Sequence, residues 1–231
     1  MGIMSRPQGT RGSRKPPAER SAEITEAARA VAIDEGLAAV TLRAVAARAA
    51  VTPALIAHYE PSMDALVART FAAIVSAEVG EIVELTAGMP PREQLRLVLD
   101  TLLDGSRSDV TVVWVEAWTL GRRNELLAVS VREQMDAWQS VLLEILESGV
   151  ATREFTIDDP PATAWLLLGL IDGFTAQSLV RWGGAGGASG GANGTGADGT
   201  DTDGTAGIAR GRHVVARAIA TFVGLPAAAF G

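Results

Sequence analysis

The sequence predicts an all-α protein: an N-terminal three-helix unit containing a helix-turn-helix, followed by a larger helical body. Three observations predict it. Apolar residues recur at three- and four-residue spacing along most of the 231 residues. Helix caps and first-turn prolines punctuate the first third, at Thr41, Thr52-Pro53 and Pro61-Ser62. Only the run 110–115 has strand propensity, and no second run offers it a partner, so it too is read as helix.

The elements follow in order. Residues 1–19 hold Gly, Pro, Ser, Arg and Lys with little that is apolar, and are expected to form a flexible basic arm. Ile24, Ala27, Ala28 and Val31 share a helical face, and Gly36 stops that helix. Thr41 caps a short helix that runs to about Arg48. Thr52 then caps a second, with Pro53 at its first position. Ser62 caps a third, and Asp64 complements its positive end. Leu66, Ile74, Val75, Ile82 and Val83 carry that helix towards Gly88, and Met89-Pro90-Pro91 breaks it.

Further helices are expected over about 92–104, 110–120, 124–148, 161–182 and 213–223. Between the last two, 183–211 contains twelve of the 25 glycines, and its one large apolar residue is Ile208. Such a segment cannot bury enough surface to offset its ordering entropy, and is expected to be a disordered insertion. The domain expectation is an arm at 1–19, a head at 20–66 and a body at 67–231.

Charge is unevenly spread. Residues 1–70 carry nine Lys/Arg and seven Asp/Glu; the remainder carries eleven and twenty, for a net charge of −7 overall. A basic start on an acidic body suits an end that meets a polyanion. Cysteine is absent, which excludes thiolate metal sites and cysteine nucleophiles. The two histidines, His58 and His213, are too far apart in sequence to suggest a metal motif. No phosphate-binding glycine loop or nucleophile elbow is visible. No catalytic residue, metal or cofactor is therefore expected. No apolar run reaches transmembrane length and the start lacks a hydrophobic signal region, so the expected location is cytoplasmic.

The stretch 41–66 carries the function. Two short helices lie about three residues apart. Leu42, Val45, Val51 and Ile56 can share a small core, and Ala46 is small where the helices cross. This is the helix-turn-helix pattern, whose second helix enters the major groove of double-stranded DNA. Pro53, Ala54, Leu55, Ala57, His58 and Tyr59 are expected to face outward. Thr41, Thr52 and Ser62 are caps first, and phosphate contacts only if the head docks on DNA. Arg43 is expected to meet phosphate, and Arg48 to be solvated.

Residues 21–70 resemble the DNA-binding domain of TetR-type transcriptional repressors, on Thr41-Leu42-Arg43, Val51-Thr52-Pro53, His58-Tyr59 and Pro61-Ser62. Leu55-Ile56-Ala57-His58-Tyr59 is most similar to the BetI-like subgroup. Trp114, Trp118, Arg122-Arg123, Trp138, Gly149, Phe155 and Leu170-Ile171-Asp172-Gly173 follow in the family's order. The resemblance implies a homodimer, joined through helices near 161–182 and 213–223, that binds a palindromic operator and responds to a small-molecule effector. Three residues depart from the pattern. Ala50 replaces a turn glycine, Glu60 an aromatic residue after the reading helix, and Met63 a lysine. These departures sustain a second expectation: a dimeric small-molecule-binding protein with weakened or lost DNA binding.

The body suggests its own site. Trp114 and Trp118 are four apart and share a helical face, and Trp138 lies on another helix. Together they are either solid core or the wall of an apolar cavity. Asp172 interrupts an apolar run and needs a partner, which a ligand, a helix end or a dimer mate would supply. With the acidic body, these residues point to an effector that is mainly apolar and that a positive charge would suit.

Overall fold

The computed structural model describes residues 16–181 and 202–230. Its head consists of α1 (Pro17–Glu35), a 3-10 turn (Leu37–Ala39), α2 (Leu42–Arg48) and α3 (Pro53–Tyr59). The body follows with α4 (Met63–Thr86), α5 (Pro91–Leu103), α6 (Ser108–Gly121), α7 (Glu125–Ala151), α8 (Pro160–Ser178) and α9 (Thr202–Phe222). No strand occurs among the described residues. The valine-rich run 110–115 lies inside α6, because its Val113 and Ala117 are buried one turn apart against neighbouring helices.

The head closes over Ile24, Val31, Leu37, Val45 and Ile56, all fully buried. Ala46 is buried where α2 meets α3, and Leu42 and Val51 pack at the edge of the same core. α1 packs on both α2 and α4. α4 is thus shared: Leu66 and Phe71 are buried near its start, while Ile74 to Ile82 face the body. Within the body α7 is central, packing on α4, α6 and α8. Asn124 ties the parts together. Its carboxamide oxygen accepts from the Leu127 N–H to cap α7, and its NH₂ donates to the Asp64 carbonyl at the start of α4.

Two boundaries differ from expectation. Pro17, at the first position of α1, starts the helix inside the segment assigned to the basic arm. α9 begins at Thr202, so 202–211 is helical rather than part of a disordered insertion; 182–201 lies outside the described residues. Packing overrides poor helix propensity here. A Cβ on Gly211 would stand 2.8 Å from the Phe174 ring, so glycine lets α9 approach α8, and Arg212 pairs with Asp100 at 2.9 Å.

Candidate DNA-reading helix and tryptophan cavity

The three capping hydroxyls act as expected within their helices. Thr41 Oγ1 accepts from the Ala44 N–H (3.3 Å), Thr52 Oγ1 from Leu55 (3.3 Å) and Ser62 Oγ from Ala65 (3.2 Å). Each hydroxyl hydrogen remains able to donate to a phosphate oxygen. Thr52, Pro53, Ala54, Ala57 and His58 form an exposed face on and before α3, with Arg43 exposed on α2. Leu55 and Tyr59 are half-buried instead of fully outward, and Tyr59 packs on the head's core. A seven-residue helix has too little surface to free six side chains while anchoring itself.

Two charged residues behave differently from expectation. Arg48 is not simply solvated: it pairs with Asp34 (2.6 Å) and Glu35 (3.5 Å), pinning the end of α2 to the end of α1. Glu60 is not an exposed charge. It is buried after α3 and pairs with Arg69 of α4. Met63 packs against the core at the first position of α4.

Ala50 has φ +52°, the left-handed region. It sits where helix ends usually place glycine. The Val51 N–H donates to the Ala46 carbonyl (2.9 Å) and the Ala50 N–H to the Ala47 carbonyl (3.2 Å). The turn keeps the geometry of a glycine-closed helix end and carries the strain of a Cβ there.

In the body, Trp114, Trp118, Trp138 and Asp172 line one cavity of about 50 Å³. Phe71 meets Trp114 edge-on at 5.0 Å, and Trp114 and Trp118 lie 5.9 Å apart, tilted by 41°. Asp172 projects from α8, and burial pushes its carboxyl up to about 6. The wall holds two more charged groups that the sequence reading missed, Glu78 of α4 and Arg107 just before α6. Burial pushes Glu78 up to about 7, although Arg107 and a hydrogen bond from the Trp114 indole pull it down. A signal was present in the sequence: Glu78 falls in register with Phe71, Ile74, Val75 and Ile82, on the buried stripe of α4.

α6 links cavity and head. Trp114 and Trp118 face the cavity, while Glu116 between them accepts from the Ala38 N–H at 2.9 Å in the 3-10 turn. Gly36, at φ +92°, is the close neighbour of this carboxylate. A Cβ there would stand 2.7 Å from a Glu116 oxygen, so only glycine admits the contact.

A short exposed helix behind capped turns, joined to a helical body around an aromatic cavity, is the arrangement of a helix-turn-helix regulator. Residues 24–70 match the family model for bacterial regulatory proteins of the tetR family, and 91–189 that for the C-terminal part of BetI-type transcriptional repressors. The chain belongs to the TetR family and resembles its BetI-type members in the body; it is a transcription factor rather than an enzyme. No curated protein matches it. Among solved structures it is similar to a TetR transcription regulator from Haloarcula marismortui, with 19% identity and a TM-score of 0.68 over 90% of this chain and 97% of that one. It is also similar to a transcriptional regulator from Saccharomonospora viridis in complex with choline, with 23% identity and a TM-score of 0.63 over 71% and 86%. A TetR-family regulator from a Rhodococcus species aligns with 19% identity and a TM-score of 0.64 over 89% and 99%. Among the described residues no helix is long and apolar enough to cross a membrane.

Proposed function

We propose that this chain is a cytoplasmic homodimeric repressor, with a DNA-reading head at 20–66 and an effector-binding and dimerising body from 67 onward. Each protomer sets α3 in the major groove of one half of a palindromic operator. Thr41, Arg43, Thr52 and Ser62 hold phosphates; Pro53, Ala54, Leu55, Ala57, His58 and Tyr59 meet the groove. The observation that carries this reading is the exposed face of α3 beside three hydroxyl caps. The alternative of lost DNA binding is weakened by two departures that spare this face: Glu60 turns inward, and Ala50 preserves the turn.

The dimer forms through α8 and α9. Trp165, 67% exposed, lies on one face of α8 with Gly169 and Gly173, and Val214 and Phe222 are exposed on α9. Open space around both glycines leaves room for a partner helix.

The effector is a small, mainly apolar organic cation, held by Trp114, Trp118, Trp138 and Asp172. Aromatic faces and an under-neutralised carboxylate attract such a group, and the choline-bound relative supports this choice. Its arrival moves α6, and through Glu116 the head, shifting the population away from the DNA-binding state.

The test is an unbiased selection of DNA at physiological salt, followed by mobility-shift titration. A palindromic consensus is expected. Arg43→Ala should weaken binding to all sequences, and His58→Ala should change the preference among them. A selection that yields no consensus refutes the reading.

A further inference from the structure

Glu78 is a buried carboxylate, 7% exposed, in the wall of the tryptophan cavity. Such a group is costly unless firmly paired. Its pairing is loose. Arg107 approaches Glu78 at 3.8 Å, while another nitrogen of the same guanidinium lies 2.9 Å from Glu81, which is largely exposed. One cation thus serves an inner and an outer carboxylate and sits nearer the outer one. Asp172 lines the same cavity, and burial raises its carboxyl. The charges bearing on Glu78 are Arg107 and Asp109 at the start of α6 and Glu81 on its own helix.

Arg107 also lines a second, wider cleft that opens between α6, α8 and the end of α1; its charged lining is mixed, with Asp109 and Arg181 beside Asp34 and Glu35, which pair with Arg48. Arg107 thus stands between this cleft and the tryptophan cavity, lining both. We propose that Arg107 is the resident counter-ion of the effector site: an incoming organic cation takes its place beside Glu78, is bracketed by Glu78 and Asp172, and displaces the guanidinium outward onto Glu81 and Asp109. This deepens the cationic-effector reading and rests on it. Charge is conserved at the inner carboxylate, since one cation replaces another. The displaced residue is also placed to signal. Its carbonyl accepts from the N–H and the hydroxyl of Thr111 (3.0 and 3.1 Å), so Arg107 forms the first turn of the helix that carries Glu116.

The experiment is calorimetric titration of the full-length protein with tetramethylammonium at pH 9, where Glu78 stays ionised even when Arg107 no longer pulls its carboxyl down. A charge at this range moves an ionised partner's equilibrium by about tenfold or more. Arg107→Gln should therefore bind the probe about tenfold more tightly than the unaltered protein. Glu81→Gln, on the surface, removes the outer partner, leaves Arg107 with Glu78, and should weaken binding several-fold. Glu78→Gln should weaken it most. Unchanged or weaker binding by Arg107→Gln, with its melting temperature preserved, overturns the proposal. If Arg107→Gln does not fold, unchanged or tighter binding by Glu81→Gln overturns it. If the unaltered protein binds no cation, the effector reading fails and takes this one with it. If it instead binds hexanoate and Arg107→Gln abolishes that binding, Arg107 is an anion site and only the DNA-reading proposal stands.

Discussion

Replacing Ala50 by glycine tests the turn on which DNA reading depends. Ala50 holds φ +52° while its N–H and that of Val51 close the end of α2. A left-handed L-residue costs about 1–2 kcal/mol, which glycine relieves. Glycine also gives the unfolded chain more freedom, at a cost of about 0.4–1 kcal/mol. Ala50 is exposed, so no packing is lost. The opposing effects leave a gain of up to about 1.6 kcal/mol, centred on about 0.8 kcal/mol. For a chain of this size that central value raises the melting temperature by about 2–3 °C. The assay is calorimetric melting of Ala50→Gly beside Ala49→Gly as control. Ala49, the residue before, has φ −80°, where alanine carries no strain. The control should lose stability by up to about 1 kcal/mol. If Ala50→Gly melts no higher than the unaltered protein, or falls as far as the control, the strain argument is wrong.

Other expectations concern the body. Glu116→Ala should leave tetramethylammonium affinity nearly unchanged but reduce its effect on operator binding; mobility shifts with and without the cation check this, and full coupling refutes the α6 link. Glu78 titrates near 7 in the fold and near 4.5 when unfolded. Between those values the native state holds the extra proton, so the stability this group contributes is full below about pH 4.5 and is lost, by about 3 kcal/mol, as pH rises through 7. Urea titration across that window should show the decline, and Glu78→Gln should remove its share, leaving the fall that the raised Asp172 carboxyl adds around pH 6. Cation affinity should rise over the same window, because protons and ligand compete for the carboxylate; calorimetry at pH 6 and 8 measures this. Gly149→Ala places a Cβ 2.0 Å from the Phe155 ring. It should cost about 1–3 kcal/mol in chemical denaturation, through overpacking.

What the sequence revealed was mostly local. Thr41, Thr52 and Ser62 cap helices that begin one residue later, so their hydrogen bonds span three residues and were readable from spacing. Trp114 and Trp118 share a face for the same reason, and Asp172 stood out against the apolar run around it. The missed features join residues distant in the chain. Arg48 reaches back to Asp34 and Glu35, and Glu60 turns to Arg69 only because α3 and α4 cross there. Glu78 resembled Glu81 and Glu84 nearby, which are exposed; only the buried face of α4 separates them. The start of α9 escaped because its glycines weaken a helix taken alone, and the contact of Gly211 with Phe174 joins two helices distant in the chain.

The clustering of indoles has an optical consequence. Trp114, Trp118 and Trp138 surround one cavity, with two rings 5.9 Å apart, so excitation absorbed by one can pass to its neighbour. Anything that enters the cavity alters the emission of the whole set. Trp165 sits 67% exposed on α8, where water shifts its emission to longer wavelength. Among the four described tryptophans, occupancy of the cavity and burial of the α8 face therefore fall at different colours. A dimer that forms through α8 draws the long-wavelength part of the spectrum blueward and leaves the cavity's contribution in place.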